Sequence, residues 1–281
     1  MKILLITVLS LIAFAGNSIL CRIALGQGQI DAASFTSIRL FSGAITLFIL
    51  YALFHKNKQT ASKGSWLGAV YLFIYAVTFS YAYISLETAI GALVLFSSVQ
   101  FSMFAYTFFS GTKIYPIEWC GALIAFIGFS YLVLPDISSP SLIGFVLMVL
   151  SGMAWAGYTL VGKKSSNPLA DTAFNFMRTL PFITLLSLMT LNSITASTTG
   201  VLLAVIAGSV TSGIGYAIWY VALKHLTSVQ AAVSQLSVPI IAGIGGFLFL
   251  SEPISERLAI SGAIILIGIL LVVLGKKPLK S

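Results

Sequence analysis

Runs of about twenty apolar residues recur along the chain, each closed by a short polar or Pro/Gly-containing break. At 1.5 Å per helical residue, a run of that length spans the roughly 30 Å hydrocarbon core of a bilayer. The breaks define ten predicted helices, at about 3–25, 34–54, 66–86, 89–110, 116–134, 142–162, 172–191, 199–223, 227–250 and 257–275. A β-barrel would need segments of about ten residues with strict alternation, and these runs are unbroken and about twice that length. The expected fold class is therefore an all-α polytopic membrane protein. The first run, Met1 to Ser18, imitates a signal peptide, with a basic start and an Ala13-Phe14-Ala15-Gly16 ending. The pattern returns in mid-chain as Ala154-Trp155-Ala156-Gly157, so the run is read as the first membrane helix.

The pattern also repeats. Asp31-Ala-Ala-Ser-Phe35-Thr-Ser-Ile-Arg39 opens the second predicted helix, and Asp171-Thr-Ala-Phe174-Asn-Phe-Met-Arg178 opens the seventh. Val99-Gln100-Phe101 holds the place of Val238-Pro239-Ile240. Gly121 to Gly128 resembles Gly262 to Gly268, one residue shorter. The chain thus divides into a first five-helix unit at 1–135, a Pro-punctuated linker at 136–141 and a second unit at 142–281. Five is odd, so the second copy is expected to be inverted, the arrangement of many secondary transporters.

Composition agrees with the membrane reading. Of 281 residues 58% are hydrophobic and 8% are charged, against about 25% charged in soluble domains. The net charge of +8 is read as loop lysines and not as a nucleic-acid surface, since no basic stretch is interleaved with exposed aromatics. With ten spans, the lysines from Lys2 and Lys56 to Lys276 and Lys280 fall on the side of the termini. The other side has Arg22 and Arg257 at span edges. Both termini are accordingly expected in the cytoplasm. Cys21 and Cys120 lie in apolar runs without a CxxC or Cys/His cluster, so no metal or cofactor is expected.

Candidate chemistry lies in polar and aromatic positions inside the spans. Gln230, Ser234 and Gln235 precede Pro239 on the ninth predicted helix. Proline displaces the carbonyl four residues back, that of Gln235, leaving a group free to bind solute or to glue helices. Gln100 sits in the corresponding place on the fourth. Tyr216, Trp219 and Tyr220 share one face by their i, i+3, i+4 spacing, as do Trp155 and Tyr158; such faces suit a solute pocket, aromatic packing or an interfacial belt. Asn17 is polar at mid-span. Arg39 and Arg178 lie a turn or more inside spans, where charge is rare and usually paired or wet. Asp171 and Asn175 share a helical face with Arg178 and are its expected partners. No carboxylate is centred in a span, and Glu87, at the turn between the third and fourth helices, is the one candidate for proton coupling.

The chain resembles the drug/metabolite transporter superfamily, in particular its ten-helix EamA-type exporters. The resemblance is carried by Ala154-Trp-Ala-Gly-Tyr158, Phe174…Arg178, Gly215 to Leu223, Gln235-Leu-Ser-Val-Pro239 and Leu250-Ser-Glu252-Pro253, in that order and spacing. The acidic turn at Glu252 has Thr112-Lys113 as its counterpart in the first unit, so two equivalent acidic gates are not expected. The resemblance implies a secondary transporter in the bacterial inner membrane, monomer or homodimer, exporting small solutes such as amino acids or drug-like compounds by alternating access. A lipid-headgroup flippase on the same fold and a membrane-embedded lipid-modifying enzyme are the alternatives. The enzyme would need clustered carboxylates or a His/acid pair, and the sequence has neither.

Overall fold

The computed structural model describes residues 2–54, 63–111, 114–133, 140–162, 165–223, 225–226, 231 and 234–275. Among these the chain is helical, with one isolated antiparallel bridge between Ile30 and Ala196. The helices are α1 (Lys2–Gly26), α2 (Ala32–Phe54), α3 (Trp66–Ala82), α4 (Thr88–Phe109), α5 (Pro116–Val133), α6 (Leu142–Gly162), α7 (Pro168–Arg178), α8 (Leu180–Met189), α9 (Thr198–Ile206), α10 (Gly215–Leu223), α11 (Val238–Leu250) and α12 (Glu256–Gly275). A π-helical stretch, Ala207–Ile214, joins α9 to α10 in one rod. Six rods are long and apolar enough to cross a membrane: α1, α2, α4, α6, Thr198–Leu223 and α12. The chain is a polytopic helical membrane protein.

The boundaries differ from the expected ones where a local group intervenes. The third helix stops at Ala82 instead of running to 86, because Arg22 Nη1 donates to the carbonyls of Tyr83 and Ile84, both at 3.1 Å. The seventh begins at Pro168, four residues early, behind Asn167, whose Oδ1 accepts from the Ala170 amide at 3.2 Å. It breaks at Thr179 because Pro181 has no N–H and its ring crowds the carbonyl four residues back. Of the ninth, α11 begins after a turn at Leu236–Ser237, with Pro239 in its first turn, where a missing N–H is harmless.

The interior mixes apolar side chains such as Phe35, Leu40 and Leu72 with small polar ones, while the outer surface is apolar. Ser10, Ser80, Ser151 and Ser261 are fully buried, whereas Leu4, Phe54, Phe126, Ile143 and Phe249 are mostly exposed. Lipid tails are as apolar as leucine, so hiding apolar side chains supplies little drive, and the helices associate through packing at small residues that allow close approach. Gly121 and Gly268 show this directly. A Cβ on either would stand 2.6 Å from the other's carbonyl oxygen, so α5 and α12 touch backbone to backbone.

The helices pair across the two halves. α5 packs on α12, α4 on α11, and α2 on α7 and α8. α3 lies along α6, and α1 lies along the rod from α9 to α10. The centre, where α1, α3, α4, α6 and the π stretch converge, is where the chain leaves empty space.

Candidate functional site

That space is a small central cavity, lined by Phe14, Asn17 and Ser18 of α1, Tyr75 and Phe79 of α3, Leu95 and Phe96 of α4, Trp155 of α6, Thr211 of the π stretch and Tyr216 of α10. Helical spacing puts them there: 14, 17 and 18 share one face, as do 75 and 79. The rings form a continuous wall. Trp155 lies 4.8 Å from Tyr75, 5.2 Å from Tyr216 and 5.4 Å from Tyr158, centroid to centroid, and Phe14 meets Tyr216 and Trp219 edge-on at 5.8 and 5.5 Å. The polar atoms are neutral. Asn17 Nδ2 donates to the Tyr75 hydroxyl by a long bond of 3.4 Å, and the Thr211 hydroxyl, which donates to the Ala207 carbonyl at 2.8 Å, lies 3.4 Å from Asn17 Oδ1. Wide turns of the π type expose side chains that an α-helix would stack, and here the wide turn presents Thr211.

Against this wall stands Arg39, 1% exposed. Its guanidinium carbon lies 4.9 Å from the centroid of Phe79 and 5.3 Å from that of Tyr75. Nε and Nη1 are buried without an acceptor.

The two ends of the bundle are tied differently. At the end where α3 finishes, Arg22 Nε and Glu252 Oε1 form an ion pair at 2.8 Å, and Glu252 Oε2 accepts from the Thr88 amide at the start of α4, also at 2.8 Å. Ser251 adopts a left-handed backbone, φ 55°, which closes α11 and lets Glu252 N–H reach back to the Gly246 carbonyl at 3.2 Å. One carboxylate thereby joins α1, α4 and the end of α11. Glu87 stands beside it. Burial raises the Glu87 carboxyl above its ordinary value, the Glu252 charge adds to the shift, and Arg22 opposes it. Nearby, Asp31 accepts from the amides of Ser34 and Thr195 at 2.8 and 3.0 Å. Burial works against its charge, but these bonds outweigh burial and hold the carboxyl below its ordinary value. At the end where α3 begins, Asp171 accepts from the Gly64 amide and Asn175 from the Ser65 amide, both at 2.8 Å. Arg178 donates to the Lys63 carbonyl and lies over the Trp66 ring.

A family model, the EamA-like transporter family, matches residues 1–134 and 142–274. The chain belongs to the EamA-like transporter family. It is therefore a membrane transporter. It is 45% identical over 271 residues to an uncharacterized protein of Pseudomonas aeruginosa, covering 96% of this chain and 94% of that one. An uncharacterized transporter of Archaeoglobus fulgidus is 26% identical over 280 residues, with 95% and 96% covered. A solved crystal structure 18% identical in sequence superposes with a TM-score of 0.61 over 97% of this chain and 98% of that one, a likeness of fold alone.

In this EamA-like transporter the residues singled out from sequence divide by position. Asn17, Trp155 and Tyr216 line the cavity together. Tyr158 and Trp219 stand in the row of rings behind, each against a lining residue, and Tyr158 donates to the Thr172 hydroxyl at 3.4 Å. Tyr220 is half-buried against the core nearby. Gln100 borders a different, smaller space among α4, α5 and α12. Ser234 and Gln235 donate to the Ala231 carbonyl, at 2.9 and 3.3 Å, and Pro239 is buried in the first turn of α11; none of the three lines the cavity. Gln230 lies outside the described residues. Arg178 ties α7 to α3, and its expected partners Asp171 and Asn175 take backbone amides instead. Phe14, Ser18, Tyr75, Phe79, Leu95, Phe96 and Thr211 were not anticipated. The signal for four of them was present, in the face shared with Asn17 and in the i, i+4 pair at 75 and 79.

Proposed function

We propose that the central cavity is the solute site of a secondary transporter that exports small metabolites or drug-like compounds by alternating access. Its two five-helix units, one inverted relative to the other, rock about their shared axis. The observation that carries this reading is the cavity itself, which draws its walls from α1, α3 and α4 of the first unit and from α6, the π stretch and α10 of the second. A site shared this way changes shape whenever the units move against each other. The pairing supports the same view. Under a two-fold relation corresponding helices meet at the axis and every other contact has an exchanged counterpart; α5 with α12, α4 with α11, and α2 with α7 and α8 are pairs of the first kind, and α3 with α6 and α1 with the rod from α9 to α10 are counterparts of each other. Lysines gathered on the terminal side favour cytoplasmic termini in a bacterial inner membrane.

The experiment uses Ser18→Cys and Thr211→Cys in a background with Cys21 and Cys120 replaced by serine. A polar thiol reagent is expected to label both from water, and transported solutes should slow labelling. Purified protein in liposomes, screened with amino acids, nucleosides and cationic dyes with and without a pH gradient, identifies those solutes. Cysteines at 18 and 211 that remain inert in every condition would take the cavity off the solute path.

A further inference from the structure

Arg39 is the one charged side chain among the described residues with buried donor atoms that have no acceptor. The other arginines placed near the bundle's ends are engaged: Arg22 holds Glu252 and two carbonyls, and Arg178 holds the Lys63 carbonyl. Tyr75 and Phe79 stabilise the Arg39 charge through their ring faces. Ring faces do nothing for N–H groups at the edge of the guanidinium plane, which need acceptors there. A buried charge left in this condition is strongly unfavourable unless something completes it.

The surroundings say what completes it. Both rings that carry Arg39 are cavity walls, so the cation lies within one aromatic ring of the empty space. The residues that line the space are aromatic, aliphatic or neutral polar, with no carboxylate or histidine among them. The acidic side chains of the described residues sit at helix ends, as Asp31, Glu87, Glu118, Asp171, Glu252 and Glu256. A cationic solute would thus meet an uncompensated positive charge and no partner. A planar carboxylate matches the fork of a guanidinium, two oxygens to two N–H groups.

We infer that Arg39 is the recognition group for an anionic solute, and that the cargo class is a small organic monoanion, a carboxylate carried on a flat apolar body. The carboxylate takes one edge of the Arg39 guanidinium, Nη2 with either Nε or Nη1, which lie on opposite sides of it, once the arriving solute turns the Tyr75 or Phe79 ring aside. The apolar body lies among Phe14, Trp155 and Tyr216. Asn17, whose Nδ2 reaches the Tyr75 hydroxyl only by a long bond, supplies a further donor. This rests on the cavity's being the solute site and adds its sign of charge.

Three solutes with the same phenyl body separate the possibilities: 3-phenylpropionate (anion), phenylalanine (zwitterion) and phenethylamine (cation). Binding of each radiolabelled solute to the purified full-length protein is measured by equilibrium dialysis at pH 7. The expected order is phenylpropionate tightest, phenylalanine weaker and phenethylamine weakest, with at least a ten-fold gap between the ends. Arg39→Gln should lose at least ten-fold in phenylpropionate affinity and remove the preference. Arg39→Lys keeps the charge without the fork and should fall between. The order on the unaltered protein stands even if a variant fails to fold. Phenethylamine binding as well as phenylpropionate, Arg39→Gln retaining full anion affinity, or millimolar chloride displacing phenylpropionate would each overturn the assignment. If no probe binds while Ser18→Cys is labelled from water, the anion assignment fails and the cavity reading stands. If Ser18→Cys is also inert, the cavity reading fails with it.

Discussion

Removing the Glu252 carboxylate should loosen one end of the bundle, and Cys21 is placed to report it. Glu252 is 11% exposed and Arg22 18%, so neither charge is well screened by solvent. The carboxylate accepts from Arg22 Nε and from the Thr88 amide, each at 2.8 Å. A hydrogen bond to a charged group contributes about 1.5–3 kcal/mol, and a part-buried arginine left without its partner adds to the loss. Glu252→Gln keeps the shape and one acceptor, so about 1.5–3 kcal/mol is the expected change in the closed-to-open balance. At 1.4 kcal/mol per factor of ten, the open population rises about 10- to 150-fold. Cys21 is fully buried beside Arg22, and Cys120 is exposed. In a Cys120→Ser background, reaction of Cys21 with a polar thiol reagent measures how often this end opens. Its rate in Glu252→Gln should rise by that factor. In a double-mutant cycle, Arg22→Gln should add less on top of Glu252→Gln than it does alone, since only its bonds to the Tyr83 and Ile84 carbonyls are then left to lose. Equal rates in all four proteins, or strictly additive effects, would show that the pair does not hold this end shut.

Other outcomes follow from neighbouring contacts. Because Glu87 has a raised carboxyl pKa in the folded protein, its protonated form is favoured there; this contribution is full below the ordinary value near 4.5 and is lost as pH rises through the raised one. Glu87→Gln should therefore raise the melting temperature at pH 7 and leave it unchanged near pH 4, and an equal gain at both would refute a titration effect. Gly268→Ala places a methyl 2.5 Å from the Ala125 amide nitrogen and 2.6 Å from the Gly121 carbonyl. It should cost about 1–3 kcal/mol by overpacking, read as a lower midpoint in thermal denaturation in detergent. Asn175→Ala strands the Ser65 amide, which should lose about 1–3 kcal/mol in the same measurement, with Asn175→Asp retaining the acceptor and most of the stability.

The helices were legible in the sequence because a bilayer leaves little choice. Every backbone group must be satisfied within the segment, so each crossing is a long apolar run, and the runs are visible by eye. Helix ends were less so. Pro181 was a readable break and was passed over, whereas the end of α3 depends on Arg22, sixty-one residues upstream of the carbonyl of Tyr83. The site was legible only where one residue announced itself. Asn17, Trp155 and Tyr216 stood out as polar or aromatic among aliphatics. Leu95 and Phe96 look like any lipid-facing or core residue until the helices that flank them are known. Arg39 illustrates the limit best. Counting along α2 places it two turns from an end, where an arginine can reach water, and only the packing of α3 against it reveals that it does not.

The π stretch at Ala207–Ile214 gives one of these rods a property that an unbroken α-helix lacks. A π turn holds one residue more than an α turn, a slack link in the thread of a screw. Each position by which that slack migrates turns the residue it passes by about 100°. The stretch is held in one register: a Cβ on Gly208 would strike the Arg39 carbonyl, and one on Gly213 would stand 3.0 Å from Thr46, so no neighbouring side chain can be turned into either place. Thr211 sits inside the slack and Tyr216 just beyond it. The extra residue is thus an offset fixed by packing, and it aims a hydroxyl and the ring that follows in directions that an unbroken α-helix would not give them.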